Sequence, residues 1–180
     1  GGQGSKGASG EGILYEFYTP DYICDLMYDL AVRYGYDGGS ILEPSIATGR
    51  LIKPFPDKSL VTGFEINSTT ARICKITYHE ATIVHHYFES AFLEPLRFTE
   101  RIKEKVTWLD DYPFSLVIGN PPFGRISSLA IKFFNHSAKW SNMIAFIIPR
   151  TFRRISVQNK LNRLFHLVYD EEVPNKPCCF

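Results

Sequence analysis

The sequence predicts an α/β fold, a doubly wound and mainly parallel sheet, and two observations carry that expectation. Short apolar runs of strand length recur at 40–43, 59–66, 82–88, 114–119, 143–148 and 164–169. Several are apolar at consecutive positions, as strands covered on both faces are. Between them lie helix-compatible segments at 49–55, 68–80, 127–140 and 151–163. Strands alternating with helices indicate parallel pairing through crossover connections. A chain of 180 residues, 44% of them hydrophobic, is the right size for one packed domain.

Residues 1–12, rich in Gly and Ser, read as a flexible lead-in, and 13–180 as the folded domain. Over 21–34, Ile23, Leu26, Met27, Leu30 and Tyr34 fall at helical spacing, with Thr19-Pro20 opening the helix. The charged stretch 94–111 is read as a helix or a long loop. No run of eighteen apolar residues occurs and the N-terminus has no apolar signal core, so an intracellular protein without a membrane partner is expected. Cys24, Cys74, Cys178 and Cys179 have neither a disulfide framework's spacing nor a zinc site's, and are expected to be reduced thiols. His85-His86 lacks metal-ligand partners at useful spacing, and no metal is expected.

Charge is distributed unevenly. Residues 1–124 carry 11 Lys/Arg against 16 Asp/Glu, whereas 125–169 carry 8 Lys/Arg and no acid. That basic stretch is either a solvated helix face or a phosphate-contact surface. The absence of acids over 45 residues favours nucleic acid, with Arg125, Arg150, Arg153 and Arg154 as candidate contacts.

In an open parallel sheet, ligands bind outside the carboxyl ends of the strands, so chemical candidates should fall there. Residues 117–123, Val-Ile-Gly-Asn-Pro-Pro-Phe, are a short apolar run ending in a rigid turn. The Asn120 side-chain oxygen and the Pro121 carbonyl can both accept hydrogen bonds from one exocyclic amine. Pro121 and Pro122 bring no competing N–H, and the Phe123 ring can stack on a planar base. At 41–51 a strand turns into a second loop, Glu43-Pro44-Ser45-Ile46-Ala47-Thr48-Gly49, whose small residues allow a bulky ligand to approach the backbone. Glu65 ends the next strand, 22 residues after Glu43, where a carboxylate can accept both hydroxyls of a ribose.

These segments resemble the amino-methyltransferases that use S-adenosylmethionine (AdoMet), most closely the adenine-N6 DNA enzymes of the NPPF type with gamma-like motif order. Asn120, Pro121, Pro122 and Phe123 match motif IV, the catalytic turn. Glu43, Pro44, Ser45, Ala47 and Gly49 match motif I, with Ala47 where the pattern usually has its first glycine. Phe17-Tyr18-Thr19-Pro20 resembles motif X, so Tyr18, Thr19 and Pro20 are implied to touch the methionine end of AdoMet. The resemblance implies that Glu65 holds the cofactor ribose and Ile66 its adenine. Ser90, with Ala91 and Phe92, stands where the family has an Asp against the adenine amine, and Asn120 also borders the cofactor. The implied fold is the class I, Rossmann-like methyltransferase fold. The implied activity is methyl transfer from AdoMet to adenine N6 in duplex DNA with base flipping, releasing S-adenosylhomocysteine. Target recognition is then expected after Phe180 or in a separate subunit, as in restriction-modification or orphan and viral enzymes. RNA adenine-N6 or guanine-N2 methyltransferases and protein glutamine-N5 methyltransferases share the turn. They more often carry an Asp-x-Gly-x-Gly motif I, and the basic stretch disfavours a protein substrate. A non-catalytic, nucleic-acid-binding methyltransferase-like subunit is the remaining alternative, motivated by Ala47 and Ser90.

Overall fold

The computed structural model describes residues 19–89 and 112–173. The lead-in, Tyr18, the segment Ser90-Ala91-Phe92, the charged stretch up to residue 111, and Cys178-Cys179 lie outside the described residues. In chain order the elements are α1 (Asp21–Arg33), β1 (Ile41–Glu43), β2 (Val61–Glu65), α2 (Ser68–Thr77), β3 (Thr82–His85), β4 (Leu116–Gly119), α3 (Ser128–Ser137), β5 (Ile144–Phe146) and α4 (Ile155–Gln158). The five strands form one parallel sheet in the order β3-β2-β1-β4-β5.

Strand periodicity divides the core between the two faces of this sheet. Ile41, Val61, Ile83, Leu116 and Ile118 pack with Ile23, Met27 and Ala31 of α1 and Ala71 and Cys74 of α2. Their neighbours Leu42, Phe64 and Val117 point the other way, into a cluster with Phe88, Phe114 and Phe133 of α3. Helices on both faces are the doubly wound arrangement expected from the alternating elements. Burial follows strand position: β1 and β4 are buried at every residue, whereas the edge strands β3 and β5 are only partly covered.

Local chemistry explains the helix starts. Asn67 caps α2, its side-chain oxygen accepting from the Thr69 and Thr70 N–H groups at 3.0 and 3.1 Å. α1 follows Pro20, whose extended backbone ends the incoming chain.

Three expectations differ. Residues 49–55 form successive turns rather than a helix, with Lys53 N–H on Arg50 O and Phe55 N–H on Ile52 O, both 3.1 Å. Gly49 is left-handed at φ +82° and the prolines at 54 and 56 block helix propagation. The 151–163 helix contracts to a 3-10 turn over Arg150–Arg153 followed by the short α4. Residues 164–169 have no strand, and Leu164, Leu167 and Val168 are 72–79% exposed. An apolar run becomes a strand only when a neighbouring strand takes up its backbone groups, and none of the described strands pairs with it.

Candidate functional site

The strand order reverses between β1 and β4, because the chain runs outward from β1 to β2 and β3 before crossing to β4 and β5. A crevice opens at such a reversal, at the carboxyl ends of the strands. Both motif-bearing loops leave the sheet there: Pro44-Ser45 from β1 and Asn120-Pro121 from β4.

Asn120 is tied to both sides of this crevice. Its amide nitrogen donates to the Thr19 hydroxyl at 3.3 Å, and its backbone carbonyl accepts from the Ser45 hydroxyl at 3.2 Å. With the nitrogen committed to Thr19, the amide plane is fixed and Oδ1 is turned away from that bond as an acceptor. Thr19 is itself held: it is buried, and its carbonyl accepts from Arg50 Nε at 2.8 Å and from the Cys24 thiol at 3.8 Å. Arg50 Nη2 and Lys53 Nζ both reach Asp21, at 2.7 and 2.8 Å, which fastens the motif I loop to the start of α1. Pro121 is fully buried, Pro122 exposed, and Phe123 half-buried. The Phe123 ring packs against the Ala130, Phe152 and Val157 cluster, and its carbonyl accepts from Leu129 and Ala130 N–H.

Glu43 is buried under the crevice floor. Its Oε1 accepts from Ser45 N–H at 3.0 Å and the Ser45 hydroxyl at 3.4 Å. Burial pushes its pKa up to about 8, opposed by the Ser45 backbone bond and reinforced by the charge on Glu65. Gly119 packs closely beside it: a Cβ there would lie 3.0 Å from Glu43 Oε1 and 3.2 Å from Pro44 Cδ, so these neighbours would have to give way slightly.

Glu65, at the end of β2, shapes the neighbouring loop. Its Oε2 accepts from Ala47 N–H at 3.1 Å and its Oε1 from Asn67 N–H at 2.7 Å. Glu65 stands at the crevice end of β2, next to the partly exposed Ile66. Ala47 adopts the left-handed conformation at φ +47°, the region glycine occupies without penalty. Gly49 has a different reason from the one its motif suggests. A Cβ there would fall 2.5 Å from the Tyr78 ring and 3.1 Å from the Cys74 sulfur, so the close approach is to the end of α2.

The arginine candidates are all exposed. Arg150 and Arg153 are engaged by acids from the end of the described chain, Asp170 and Glu172. Sequence reasoning missed those partners, and it missed Arg50 and Asn67. Arg50 had no sequence signal, since its partners are set by the fold, whereas Asn67 had a local one, an N-cap residue just before a helix-compatible segment. The acids had one: they follow directly on the acid-free stretch. Among the described residues no group of three His, Cys, Asp or Glu can hold a metal, and no helix is long and apolar enough to cross a membrane. An apolar cavity of about 300 Å³ lies among Tyr28, Tyr36, Pro56 and Leu60, before β1 and β2 begin. It is at the amino ends of the strands, away from the crevice.

The sheet order and the loops at its reversal are those of the class I, Rossmann-like methyltransferase fold. No family model matches the chain. It is 31% identical over 123 residues to Defense against restriction protein B of Escherichia phage P1, covering 68% of this chain and 5% of that protein. It is 28% identical over 111 residues to the Type II methyltransferase M.CvrRI of Paramecium bursaria Chlorella virus XZ-6E, covering 59% of this chain and 24% of that one. The chain thus spans a small part of the length of the curated relatives it matches. A candidate RNA methyltransferase from Pyrococcus horikoshii superposes with a TM-score of 0.55 at 16% identity, over 81% of this chain and 67% of that one. A Thermoplasma acidophilum structure gives 0.53 at 16% identity, over 77% and 66%. At these identities the structures speak for the fold alone.

Proposed function

We propose that this chain is the catalytic domain of a DNA adenine-N6 methyltransferase. The observation that carries the reading is Asn120. It stands at the carboxyl end of β4 beside the motif I loop, its amide nitrogen held by Thr19 and its backbone by Ser45. AdoMet, when bound, supplies an electrophilic methyl group on a sulfonium. Thr19, Pro20, Glu43, Pro44, Ser45, Ala47, Gly49, Glu65, Ile66 and Asn120 are the described residues that would hold it, with Tyr18 and Ser90 to Phe92 completing the set.

Adenine N6 is a weak nucleophile because its lone pair is delocalised into the ring. Asn120 Oδ1 and the Pro121 carbonyl accept its two N–H bonds, draw the amine toward tetrahedral geometry and localise that pair. The same oxygens stabilise the positive charge that develops on nitrogen. Asn120, held beforehand through its amide nitrogen by Thr19 and through its backbone carbonyl by Ser45, reorganises little. No strong base is needed, since the methylated amine is acidic and releases its proton to water. A duplex adenine has to leave the stack to reach this turn, and the exposed part of Phe123 is an aromatic surface on the turn itself that can receive it. The similarity to a viral Type II methyltransferase and the acid-free stretch 125–169 support DNA as substrate.

The test is transfer of labelled methyl from AdoMet to unmodified duplex DNA, single-stranded DNA and RNA, followed by nucleoside identification. N6-methyldeoxyadenosine is the expected product. Label found only in RNA, or as N2-methylguanosine, overturns the substrate assignment while leaving methyl transfer intact.

A further inference from the structure

The acids at 170–172 end the acid-free stretch, and two of them lie on its arginines. Glu172 bridges two guanidinium groups: its Oε2 accepts from Arg150 Nη2 at 3.0 Å and its Oε1 accepts from Arg153 Nη1. Asp170 Oδ2 accepts from Arg153 Nε at 2.6 Å. One carboxylate spanning two arginines, with a second alongside, presents the charge and acceptor pattern of a phosphodiester. The 3-10 turn carrying these arginines abuts the catalytic loop. The Ser127 hydroxyl bonds that of Thr151, and Phe152 packs in one cluster with Phe123.

The acidic segment is anchored on its own account. The Tyr169 ring sits 5.3 Å from that of Tyr34, its hydroxyl donates to Glu171 at 2.9 Å, and Val173 packs against the larger core cluster. Anchoring keeps the two carboxylates at high local concentration beside the arginines. The pairs themselves are solvent-facing, with Arg150 77% and Glu172 49% exposed. Exposed pairs hold weakly, so a polyanion can displace them.

Resting on the nucleic-acid reading above, we infer that residues 170–172 form an acidic strap that occupies two phosphate seats on Arg150 and Arg153, and that the polynucleotide backbone displaces it on binding. The strap sets a threshold. Only a ligand offering several phosphates at once competes with a tethered carboxylate pair, which disfavours mononucleotides and short fragments at this surface.

Glu171 is a built-in control. It has the same charge as Glu172 and lies next to it, but its bond is to the Tyr169 hydroxyl rather than to an arginine. Binding of labelled duplex DNA to the full chain, followed by anisotropy at low and moderate salt, tests the inference. Glu172→Gln is expected to tighten binding about three- to tenfold and Glu171→Gln less than about twofold. Arg150→Ala with Arg153→Ala is expected to weaken binding about tenfold or more and to lower the salt slope by about one to two. Equal effects of Glu172→Gln and Glu171→Gln overturn the strap, because general charge then accounts for both. Unchanged affinity in the arginine double variant overturns the seats, while methyl transfer to DNA by the same preparation keeps the proposed function standing. Absence of DNA binding and of methyl transfer in every variant defeats the functional reading itself.

Discussion

At Asn120 one end of the amide is already bonded to Thr19, and that bond decides which end remains for substrate. The motif resemblance assigns Thr19 to the cofactor, whereas the 3.3 Å contact gives its hydroxyl a second task, holding the amide plane. Thr19→Val keeps the shape and removes the acceptor, so kcat for methyl transfer at saturating AdoMet is expected to fall about tenfold or more, beyond any loss of AdoMet affinity. Thr19→Ser is expected to restore most of it. A loss confined to AdoMet affinity, with kcat intact, contradicts the positioning role. Glu43 carries a second prediction at this scale. Its folded pKa of about 8 lies above the ordinary glutamate value. Between the two values the folded chain retains a proton that the unfolded chain has released. The stability this provides is complete at low pH and lost as pH rises through about 8. His136 runs oppositely: burial lowers its pKa to about 4, so its contribution is lost as pH falls through that value. His136 is common to both chains, so comparing Glu43→Gln with the parent at each pH cancels its contribution. Glu43→Gln keeps the acceptor for Ser45 N–H and is expected to exceed the parent by about 1–3 kcal/mol at pH 8.5 and by little at pH 5, measured by urea unfolding. The same difference at both pH values contradicts a buried acid.

The turn over 44–49 shows how an element can be recognised in sequence for a reason that differs from its physics. Small residues at Ser45, Ala47 and Gly49 suggested room for a ligand, and the turn does lie at the crevice. Gly49, however, is small because the Tyr78 ring occupies the place of its side chain. Gly35 provides the comparison: it is also left-handed, at φ +119°, but nothing lies within 4 Å of a Cβ built there. Both Gly49→Ala and Gly35→Ala incur the backbone cost, and Gly49→Ala is expected to lose about 1–3 kcal/mol more in chemical unfolding because of the ring. Equal losses contradict the packing account. Elements whose signal is local were legible in this way. The spacing of Ile23, Leu26, Met27 and Leu30 marked α1, and consecutive apolar residues marked β1, β2 and β4. Elements that depend on a distant partner were not. Leu164, Leu167 and Val168 read as a strand but stand exposed without one, and Pro54 interrupts a stretch whose composition otherwise suits a helix.

For the whole molecule, the legible part was the order of elements and the loops at the strand ends, because a parallel sheet puts successive loops on one edge whatever their spacing in sequence. That logic singles out Asn120, the Glu43–Gly49 loop and Glu65 as candidates from their positions at strand ends alone. The cross-links that make them one site were illegible, since Thr19 meets Asn120 across 101 positions and Ser45 meets it across 75. The acidic strap was legible in part, since its acids follow directly on the acid-free stretch. Charge segregation pointed to a basic surface, but only the fold brings Asp170 and Glu172 back onto it.

The most direct measurement compares Asn120→Ala with the parent in two assays on the same preparations: calorimetric binding of AdoMet, and formation of N6-methyldeoxyadenosine in duplex DNA. The parent is expected to bind AdoMet and to methylate. Asn120→Ala is expected to lose at least about a hundredfold in transfer while retaining cofactor binding, because an acceptor aimed at developing charge is absent. Transfer that survives Asn120→Ala undiminished, or a parent chain that does not bind AdoMet, contradicts a methyl-transfer site at the end of β4.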